Sequence, residues 1–160
     1  MKNYSNKILI LDNVLSENEC TELIRFYKKI GHTKQHEDTF VLSLTPNMEA
    51  AQSVLKIVNS FLDFSAYKID IGWCEIVEWP EKSFQPEHYD ITNPDTSFTS
   101  ITYLNDSYTG GKTFFVDDIE VIPKIGRTVY FDGLYYKHGV TQIDQGIRYT
   151  LPIWYRRIIN

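Results

Sequence analysis

The sequence predicts a mainly β protein with helices near its N-terminus, and two observations carry this prediction. Up to about residue 66 the apolar residues recur at helical spacing, whereas from about Tyr67 they alternate with the two-residue period of strands. Turn residues separate the later apolar runs at short intervals. Many short strands that follow two helices are typical of an antiparallel barrel or jelly roll with helices packed on one face.

The first helix is predicted from its capping residues. Ser16 and Glu19 form a capping box, in which each side chain satisfies a backbone donor at the helix start. Gly31 can end the helix in a left-handed conformation. The apolar stripe of this helix is formed by Cys20, Leu23, Ile24 and Tyr27.

A second helix is predicted to begin at Thr45-Pro46, because proline is favoured at the first helical position. Its expected apolar stripe consists of Val54, Leu55, Val58, Phe61 and Leu62. Between the two helices, the polar run "HTKQHED" is interpreted as a loop.

The strands are predicted from runs rich in β-branched and aromatic residues. These runs are "YKIDIGWCEIVEW", "SFTSITYLN", "KTFFV", "IEVI", "RTVYF" and "GIRYTLPIWY". The turns between them are marked by Asn93-Pro94-Asp95, Gly110-Gly111, Asp117-Asp118, Pro123 to Gly126, Asp132-Gly133 and Gln145-Gly146.

Length and charge limit the possible organisation and partners. The 160 residues suit a single domain, 1–160, with helical support over about 1–66 and a β core over about 67–157. A formal net charge of −5 argues against a general nucleic-acid binder, which needs a basic face. The oligomeric state is left open by these features.

Cysteine usage and hydropathy indicate a cytoplasmic protein. Cys20 and Cys74 form no CxxC motif and are interpreted as two reduced, buried thiols. The N-terminus lacks a long apolar segment with a small-residue cleavage site, and no apolar run approaches the length of a membrane span.

A candidate metal site begins at the motif His88-x-Asp90. In a strand these two side chains project to the same side, so they supply an imidazole and a carboxylate together. His138 can be the third ligand, because the chain between is long enough for about three hairpins. Two imidazoles and one carboxylate form the three-ligand face of non-haem Fe(II) oxygenases. The alternative is a polar strand end that faces water.

Other histidines are less suitable ligands. His36 and Asp38 form a second H-x-D motif, but it closes the polar run that is interpreted as a loop. His32 lies in the loop that ends the first helix and is interpreted as a solvated side chain.

Arg148 strengthens the interpretation of a functional site. It lies in the apolar run "GIRYTLPIWY", where a buried charge without a partner is costly. A bound dicarboxylate can be that partner, since the planar guanidinium donates two parallel hydrogen bonds. The alternative is that Arg148 extends to a carboxylate at the surface.

With these motifs the chain resembles the 2-oxoglutarate- and Fe(II)-dependent dioxygenases, and within them the prolyl 4-hydroxylase-type branch. The resemblance covers nearly the full chain and is strongest over residues 70–155. It is carried by the segments "ILDNVLSENECTELI", "CEIVEWPEKSFQPEHYD", "SITYLND", "TGGKTFF", "IEVIPKIGRTVYF" and "KHGVTQIDQGIRYTLPIWY".

The resemblance implies a double-stranded β-helix (jelly roll) core and an iron site formed by His88, Asp90 and His138. It also implies that Arg148 and Tyr103 bind the distal carboxylate of 2-oxoglutarate. Ile101 and Thr113 would line the pocket for that carboxylate. The implied cofactors are Fe(II), 2-oxoglutarate and O2, with ascorbate as a stimulant of turnover.

The expected reaction is hydroxylation of a peptidyl proline, with release of succinate and CO2. The expected partner is therefore a peptide or protein that contains proline, with neither nucleic acid nor membrane involved. Alternative substrates are a lysyl residue, a free amino acid or another small molecule. The lysyl residue is included because arginine at the position of Arg148 is also typical of lysyl hydroxylases. A non-catalytic cupin-like binding module is an alternative of another class.

Two departures from the family pattern concern the substrate side. Trp79 stands where the family often has tyrosine. The lid "PEKSF" contains no glycine, which predicts a lid that is stiffer or is shaped for another substrate. The substrate groove is expected at Trp79, the lid and the loop "TNPDTSF". Trp154 and Tyr89 are interpreted as packing residues of the core or the rim.

Overall fold

The computed structural model describes residues 8–62, 68–90, 96–116 and 118–158. Two helices and thirteen strands are formed by these residues. The helices are α1 (Glu17–Ile30) and α2 (Ala51–Leu62). The strands are β1 (Leu9–Leu11), β2 (Lys34–His36), β3 (Thr39–Ser43), β4 (Ile69–Trp79), β5 (Gln85–His88), β6 (Thr96–Tyr103), β7 (Thr109–Gly110), β8 (Thr113–Phe115), β9 (Ile119–Val121), β10 (Thr128–Asp132), β11 (His138–Val140), β12 (Ile143–Gln145) and β13 (Arg148–Arg157).

The strands form antiparallel sheets in the arrangement of a jelly roll. The major sheet has the order β1-β10-β6-β13-β4-β3-β2, and a minor sheet has the order β5-β11-β8-β9. A two-stranded pair, β12-β7, completes the set. The predicted fold class, mainly β with N-terminal helices and a jelly-roll core, is confirmed.

Helix α1 begins and ends at the residues that its sequence predicts. The Ser16 hydroxyl accepts a hydrogen bond from the Glu19 amide at 3.1 Å, and the Ser16 amide donates to Glu19 Oε2 at 2.7 Å. Gly31 ends the helix with a positive φ of +84°, as glycine allows, but its ψ of 171° is not the left-handed helical value that was predicted; its amide donates to the Tyr27 carbonyl at 2.8 Å. Three of the four predicted stripe residues are buried, and Ile24 packs against them while partly exposed.

Both helices cover one face of the major sheet. The Phe61 ring of α2 stacks on Tyr130 of β10, with ring centroids 5.0 Å apart, and contacts Tyr155 of β13. Cys20 and Cys74 lie in this same core as free, buried thiols, as predicted. The opposite face of the major sheet is thereby left for the functional site.

The predicted start of the second helix is wrong. Residues 46–50 form successive turns, in which the Met48 amide bonds the Thr45 carbonyl and the Ala51 amide bonds the Met48 carbonyl. The helix therefore begins only at Ala51.

The predicted stripe of this helix is also partly wrong. The buried residues of α2 are Val54, Ile57 and Phe61, which recur at helical spacing on one face. Leu55 and Leu62 lie beside that face, and each is more than two-fifths exposed.

The interpretation of "HTKQHED" as a loop is wrong as well. Lys34–His36 and Thr39–Ser43 form an antiparallel hairpin, and β3 continues the major sheet by pairing with β4. All three residues of β2 are exposed, so this edge strand shows none of the apolar alternation that would indicate a strand. The first half of the chain thus contributes strands as well as helices.

Some predictions lie outside the described residues: the strand start at Tyr67, residues 92–95 of the loop "TNPDTSF" with its turn Asn93-Pro94-Asp95, and Asp117 of the turn Asp117-Asp118. Among the described residues, neither helix has the length and apolar character needed to cross a membrane.

Candidate active site

Two histidines face each other across the minor sheet. His138 of β11 pairs directly with His88 of β5 in the antiparallel register, and their ring centroids are 4.4 Å apart. The Nε2 atom of each ring lies 3.4 Å from Oδ1 of Asp90. The three potential ligand atoms all lie within 4.8 Å of one another. The structure therefore brings together the three residues of the predicted metal site, and they could hold one metal ion.

Backbone carbonyls orient both imidazoles. His88 Nδ1 lies 2.9 Å from the Pro86 carbonyl oxygen, and His138 Nδ1 lies 3.1 Å from the Tyr136 carbonyl oxygen. Because a carbonyl can only accept, each Nδ1 carries the proton and donates it. Each Nε2 then faces Asp90: in a protonated ring it donates to the carboxylate, and in a neutral ring it offers its lone pair to a metal.

The Asp90 carboxylate is also held in one orientation. The Thr99 hydroxyl of β6 donates to Asp90 Oδ2 at 2.6 Å, which leaves Oδ1 facing the two histidines. The Asp90 amide donates to the Gly133 carbonyl at 2.9 Å. A Cβ atom on Gly133 would lie 2.8 Å from Asp90 Cβ and 2.9 Å from Thr99 Oγ1, so only glycine leaves room for this arrangement.

Electrostatics favour an ionised carboxylate at this position. Burial alone would raise the pKa of Asp90, but hydrogen bonds from His138, His88 and Thr99 hold that pKa well below its usual range. Burial would lower the pKa of His88, whereas its contacts with Asp90 and the Pro86 carbonyl raise it. One carboxylate and two imidazoles are a donor set that suits Fe(II).

Aromatic rings close one side of the site. Phe131 of β10 contacts the His138 ring edge-to-face, with centroids 4.5 Å apart, and Phe115 of β8 lies 6.0 Å from the same ring. The His138 side chain is 5% exposed, whereas that of His88 is 31% exposed. Access to the site is therefore from the His88 side.

A cavity of about 420 Å³ extends from these three residues across the inner face of the major sheet. The floor consists of every second side chain along each strand, as expected for one face of a sheet. The floor residues are Thr99 and Ile101 of β6; Arg148, Thr150, Pro152 and Trp154 of β13; and Trp73, Glu75, Val77 and Trp79 of β4.

Arg148 lies in this cavity as a buried cation. It is 1% exposed, and its guanidinium lies over the Trp79 ring at 4.8 Å and over the Tyr103 ring at 5.4 Å. Nη2 donates to the Thr113 hydroxyl at 3.3 Å, whereas Nε has no hydrogen-bond partner within the described part of the chain. The alternative in which Arg148 reaches a surface carboxylate is wrong, because the guanidinium is enclosed.

The remaining residues of the predicted carboxylate pocket surround Arg148. The Tyr103 and Thr113 hydroxyls are 2.6 Å apart, and Thr113 links them to the guanidinium. Ile101, two residues before Tyr103 on β6, lines the same cavity as the two histidines and Arg148. The structure therefore brings all the predicted site residues into one connected region.

The second H-x-D motif lies at the rim of the cavity and not at its centre. His36 and Asp38 line the mouth from the β2–β3 hairpin, but they do not join the three clustered ligands. His32 is exposed, and its ring contacts Phe40 at 5.0 Å. The sequence interpretation of His36 as a loop residue missed its place on this rim.

The tryptophans form the floor and one end of the cavity. Trp79 is buried and donates its indole N–H to the Thr150 hydroxyl at 3.2 Å. Trp154 stacks on Trp73, with ring centroids 4.8 Å apart. Tyr89 is 42% exposed at the rim, where the Lys137 ammonium lies 5.7 Å from its ring centroid.

The lid turn 80–84 is anchored to the two-stranded pair. The Lys82 amide donates to the Ile143 carbonyl at 2.7 Å, and the Ile143 amide donates to the Ser83 carbonyl at 3.0 Å. Lys82 adopts φ +71°, a conformation that usually favours glycine. These two bonds give a structural basis for a stiff lid.

Comparisons with known proteins agree with this geometry. The model of the 2OG-Fe(II) oxygenase superfamily matches residues 74–156. No curated protein matches the chain significantly.

Solved structures share the fold over nearly the whole chain. A viral collagen prolyl hydroxylase from Paramecium bursaria Chlorella virus-1, in complex with 2OG, is 20% identical with a TM-score of 0.81, covering 95% of this chain and 96% of its own. A Pseudomonas putida prolyl-4-hydroxylase is 18% identical with a TM-score of 0.78, covering 97% and 95%. A prolyl hydroxylase from Trichoplax adhaerens, in complex with a hypoxia inducible factor peptide fragment, is 17% identical with a TM-score of 0.77, covering 95% and 84%.

Proposed function

The chain belongs to the 2OG-Fe(II) oxygenase superfamily, and on this premise we propose that it hydroxylates a prolyl residue within a peptide. The observation that carries the proposal is one cavity that contains both a three-ligand cluster and a buried arginine whose Nε has no hydrogen-bond partner among the described residues. The first feature suits Fe(II), and the second suits the far carboxylate of 2-oxoglutarate.

We assign the iron to Nε2 of His88, Nε2 of His138 and Oδ1 of Asp90. Their mutual separations and the backbone bonds at both Nδ1 atoms support this assignment. Three protein ligands leave further positions of the metal open for the cosubstrate and oxygen.

We assign the distal carboxylate of 2-oxoglutarate to Arg148 and Tyr103. The unpartnered Nε of Arg148 supports this assignment, since a buried donor without an acceptor is otherwise costly. Thr113 holds both the guanidinium and the tyrosine hydroxyl in place, and Ile101 supplies an apolar wall beside the chain of the cosubstrate.

Fe(II) and 2-oxoglutarate, when bound with O2, supply an oxidation that yields succinate, CO2 and one oxygen atom inserted into a C–H bond of the substrate. The residues of the protein bind, orient and shield these groups. Thr99 holds the Asp90 carboxylate, while Phe131 and Phe115 exclude water from the His138 side.

The substrate side is proposed to be the open end of the cavity. Trp73 and Trp154 form a stacked aromatic surface there, and Glu75 lies buried beside it with the Lys34 ammonium 2.6 Å from its carboxylate. An apolar, φ-restricted proline can dock against aromatic rings with little loss of conformational freedom. Since Trp79 is buried under Arg148, the groove expected there shifts toward Trp73 and Trp154.

Three solved structures of prolyl hydroxylases share this fold, which supports proline as the first substrate to test. A lysyl residue, a free amino acid or another small molecule is the alternative for the same chemistry. Glu75 lines the cavity, but its carboxylate lies 2.6 Å from the Lys34 ammonium and therefore does not favour a cationic lysine over proline. We also propose that the protein acts in the cytoplasm. Ascorbate is proposed to stimulate turnover, and no nucleic-acid partner is proposed.

The test is mass spectrometry of peptides incubated with the protein, Fe(II), 2-oxoglutarate and ascorbate. The panel contains proline peptides, lysine peptides, free proline and free lysine. Hydroxyproline within a peptide, in proportion to succinate, is the expected result. The Asp90→Ala variant is the negative control, and His36→Ala is the matched control outside the ligand cluster.

Oxygen on lysine alone, or on a free amino acid alone, would contradict the proline assignment and keep the oxygenase chemistry. Binding of 2-oxoglutarate without any turnover on the panel would favour a non-catalytic binding module.

A further inference from the structure

Tyr108 carries a buried hydroxyl whose proton has no acceptor among the described residues. Its oxygen is shielded from solvent, and the neighbouring Arg148 can only donate to it. Buried hydroxyls are nearly always paired, so a proton without an acceptor requires an explanation. Neither the metal cluster nor the pocket residues assigned above account for this hydroxyl.

The backbone of two glycines positions the Tyr108 side chain. A Cβ on Gly111 would lie 2.9 Å from Tyr108 Cε2, and a Cβ on Gly146 would lie 3.2 Å from Tyr108 Cβ. Both glycines have positive φ, of +60° and +84°. The ring therefore occupies a slot that larger residues at either position would fill.

The same slot brings Tyr108 to Arg148. A Cβ atom placed on Gly111 would lie 2.9 Å from Tyr108 Cε2 and 3.1 Å from Arg148 Cδ. The Tyr108 ring and the Arg148 side chain therefore both border Gly111. Burial raises the pKa of the Tyr108 hydroxyl, while the neighbouring guanidinium acts in the opposite direction. The hydroxyl is therefore protonated at neutral pH and able to donate.

Two buried donors here lack an acceptor within the part of the chain that the structure describes: the Tyr108 hydroxyl and Nε of Arg148. A carboxylate fits both, because it only accepts and offers about four lone-pair positions. A positive guanidinium beside the hydroxyl favours an anionic acceptor over a neutral one.

We propose that Tyr108 is a positioning residue for the cosubstrate, whose hydroxyl donates a hydrogen bond to the carboxylate held by Arg148. This inference rests on the proposed function, since it adds one donor to the site assigned to Arg148 and Tyr103. The carboxylate is then held by the guanidinium and two tyrosine hydroxyls, which favours a keto acid with a second carboxylate over a monocarboxylate.

The test compares wild type with Tyr108→Phe, which removes the hydroxyl and keeps the ring. The Mn(II)-loaded proteins are titrated calorimetrically with 2-oxoglutarate in the absence of oxygen. Affinity in Tyr108→Phe should fall on the order of tenfold or more, as for loss of a hydrogen bond to a charged group. Competition by 2-oxobutyrate, which lacks the second carboxylate, should be the same in both proteins.

Thermal unfolding of the ligand-free proteins separates a positioning role from a structural one. Tyr108→Phe should be as stable as wild type or more stable, because the lost hydroxyl has no acceptor among the described residues. Tyr130→Phe is the matched control: its hydroxyl donates to the Ile57 carbonyl at 2.9 Å, so this variant should lose stability and keep its affinity for 2-oxoglutarate.

Equal 2-oxoglutarate affinity in Tyr108→Phe and wild type would overturn this inference alone. A lower stability or loss of folding in ligand-free Tyr108→Phe would also overturn it, since the hydroxyl would then have a structural partner. Failure of the wild-type protein to bind 2-oxoglutarate would instead overturn the proposed cosubstrate site.

Discussion

His138 lies directly opposite His88 in the antiparallel pair of β11 and β5, with ring centroids 4.4 Å apart. Their separation is therefore set by backbone pairing and not by a flexible loop. A register irregularity follows between His138 and Val140. Asp90 follows β5 and faces this pair, so its carboxylate supplies the third potential metal ligand.

Alanine at His88, Asp90 or His138 should abolish tight metal binding, because each change leaves only two protein ligands. Calorimetric titration with Mn(II) measures the loss, and circular dichroism checks that the sheet is retained. His36→Ala is the matched control and should bind metal as wild type does. Undiminished metal binding in Asp90→Ala, or equal loss in His36→Ala, would contradict the assignment.

Thr99→Val should weaken metal binding by about 10- to 100-fold, because the hydroxyl that orients the Asp90 carboxylate is lost. The same Mn(II) titration measures this effect. Thr102→Val is the control, since Thr102 lies on the same strand and its hydroxyl bonds Thr128, away from the cavity. Similar metal affinities in the two variants would argue against a role of Thr99 in orienting the ligand.

Arg148→Ala should weaken 2-oxoglutarate binding by about 2–5 kcal/mol, as for removal of one partner of a buried charged pair. Arg148→Lys should retain part of the affinity, because a point charge remains without the two-pronged donor set. Calorimetry on the Mn(II)-loaded protein measures both. Arg156→Ala, on the same strand but half-exposed, should bind as wild type does. Unchanged affinity in Arg148→Ala would mean that another residue binds that carboxylate.

The stability of the protein should depend on pH through Asp12. Hydrogen bonds from Arg127 and then Lys124 lower the pKa of Asp12 to about 2 in the folded protein. Because the pKa of Asp12 is lower in the folded protein, its ionised carboxylate stabilises the folded state at pH values above the unfolded pKa, near 4. This stabilisation is lost as the pH falls through about 2. The carboxylate is partly exposed, so the contribution should stay below about 1 kcal/mol.

Urea unfolding of Asp12→Asn and wild type between pH 7 and pH 2 tests this dependence. The difference in unfolding free energy should be largest at neutral pH and disappear at the acid end. Asp70→Asn is the control, because Asp70 is 65% exposed and 4.0 Å from Arg156. A difference that grows toward low pH would contradict the assignment.

Local sequence patterns predicted the elements that depend on local interactions. The capping box of Ser16 and Glu19 marked the start of α1, and alternating apolar runs marked the main strands. The edge strand Lys34–His36 escaped prediction because all its side chains are exposed, and only backbone pairing makes it a strand. The start of α2 was misplaced because Pro46 begins a turn as readily as a helix.

For the site, the sequence indicated the residues whose chemistry is unusual in their setting. His88 and Asp90 were indicated by their spacing on one face of a strand, and Arg148 by its charge within an apolar run. Thr99, Gly133 and Tyr108 were not indicated, because a threonine in a strand, a glycine in a turn and a tyrosine in a loop are all common. Their importance depends on contacts between distant parts of the chain, which only the folded structure shows.

The most direct test of the central claim is a single incubation with ¹⁸O₂, Fe(II), 2-oxoglutarate and a proline peptide. Succinate is quantified, and the peptide is sequenced by mass spectrometry. The account predicts one hydroxyproline, labelled with ¹⁸O, for each succinate formed, and neither product with Asp90→Ala. Failure of the wild-type protein to form succinate, or ¹⁸O-hydroxyproline formed equally by Asp90→Ala, would contradict it.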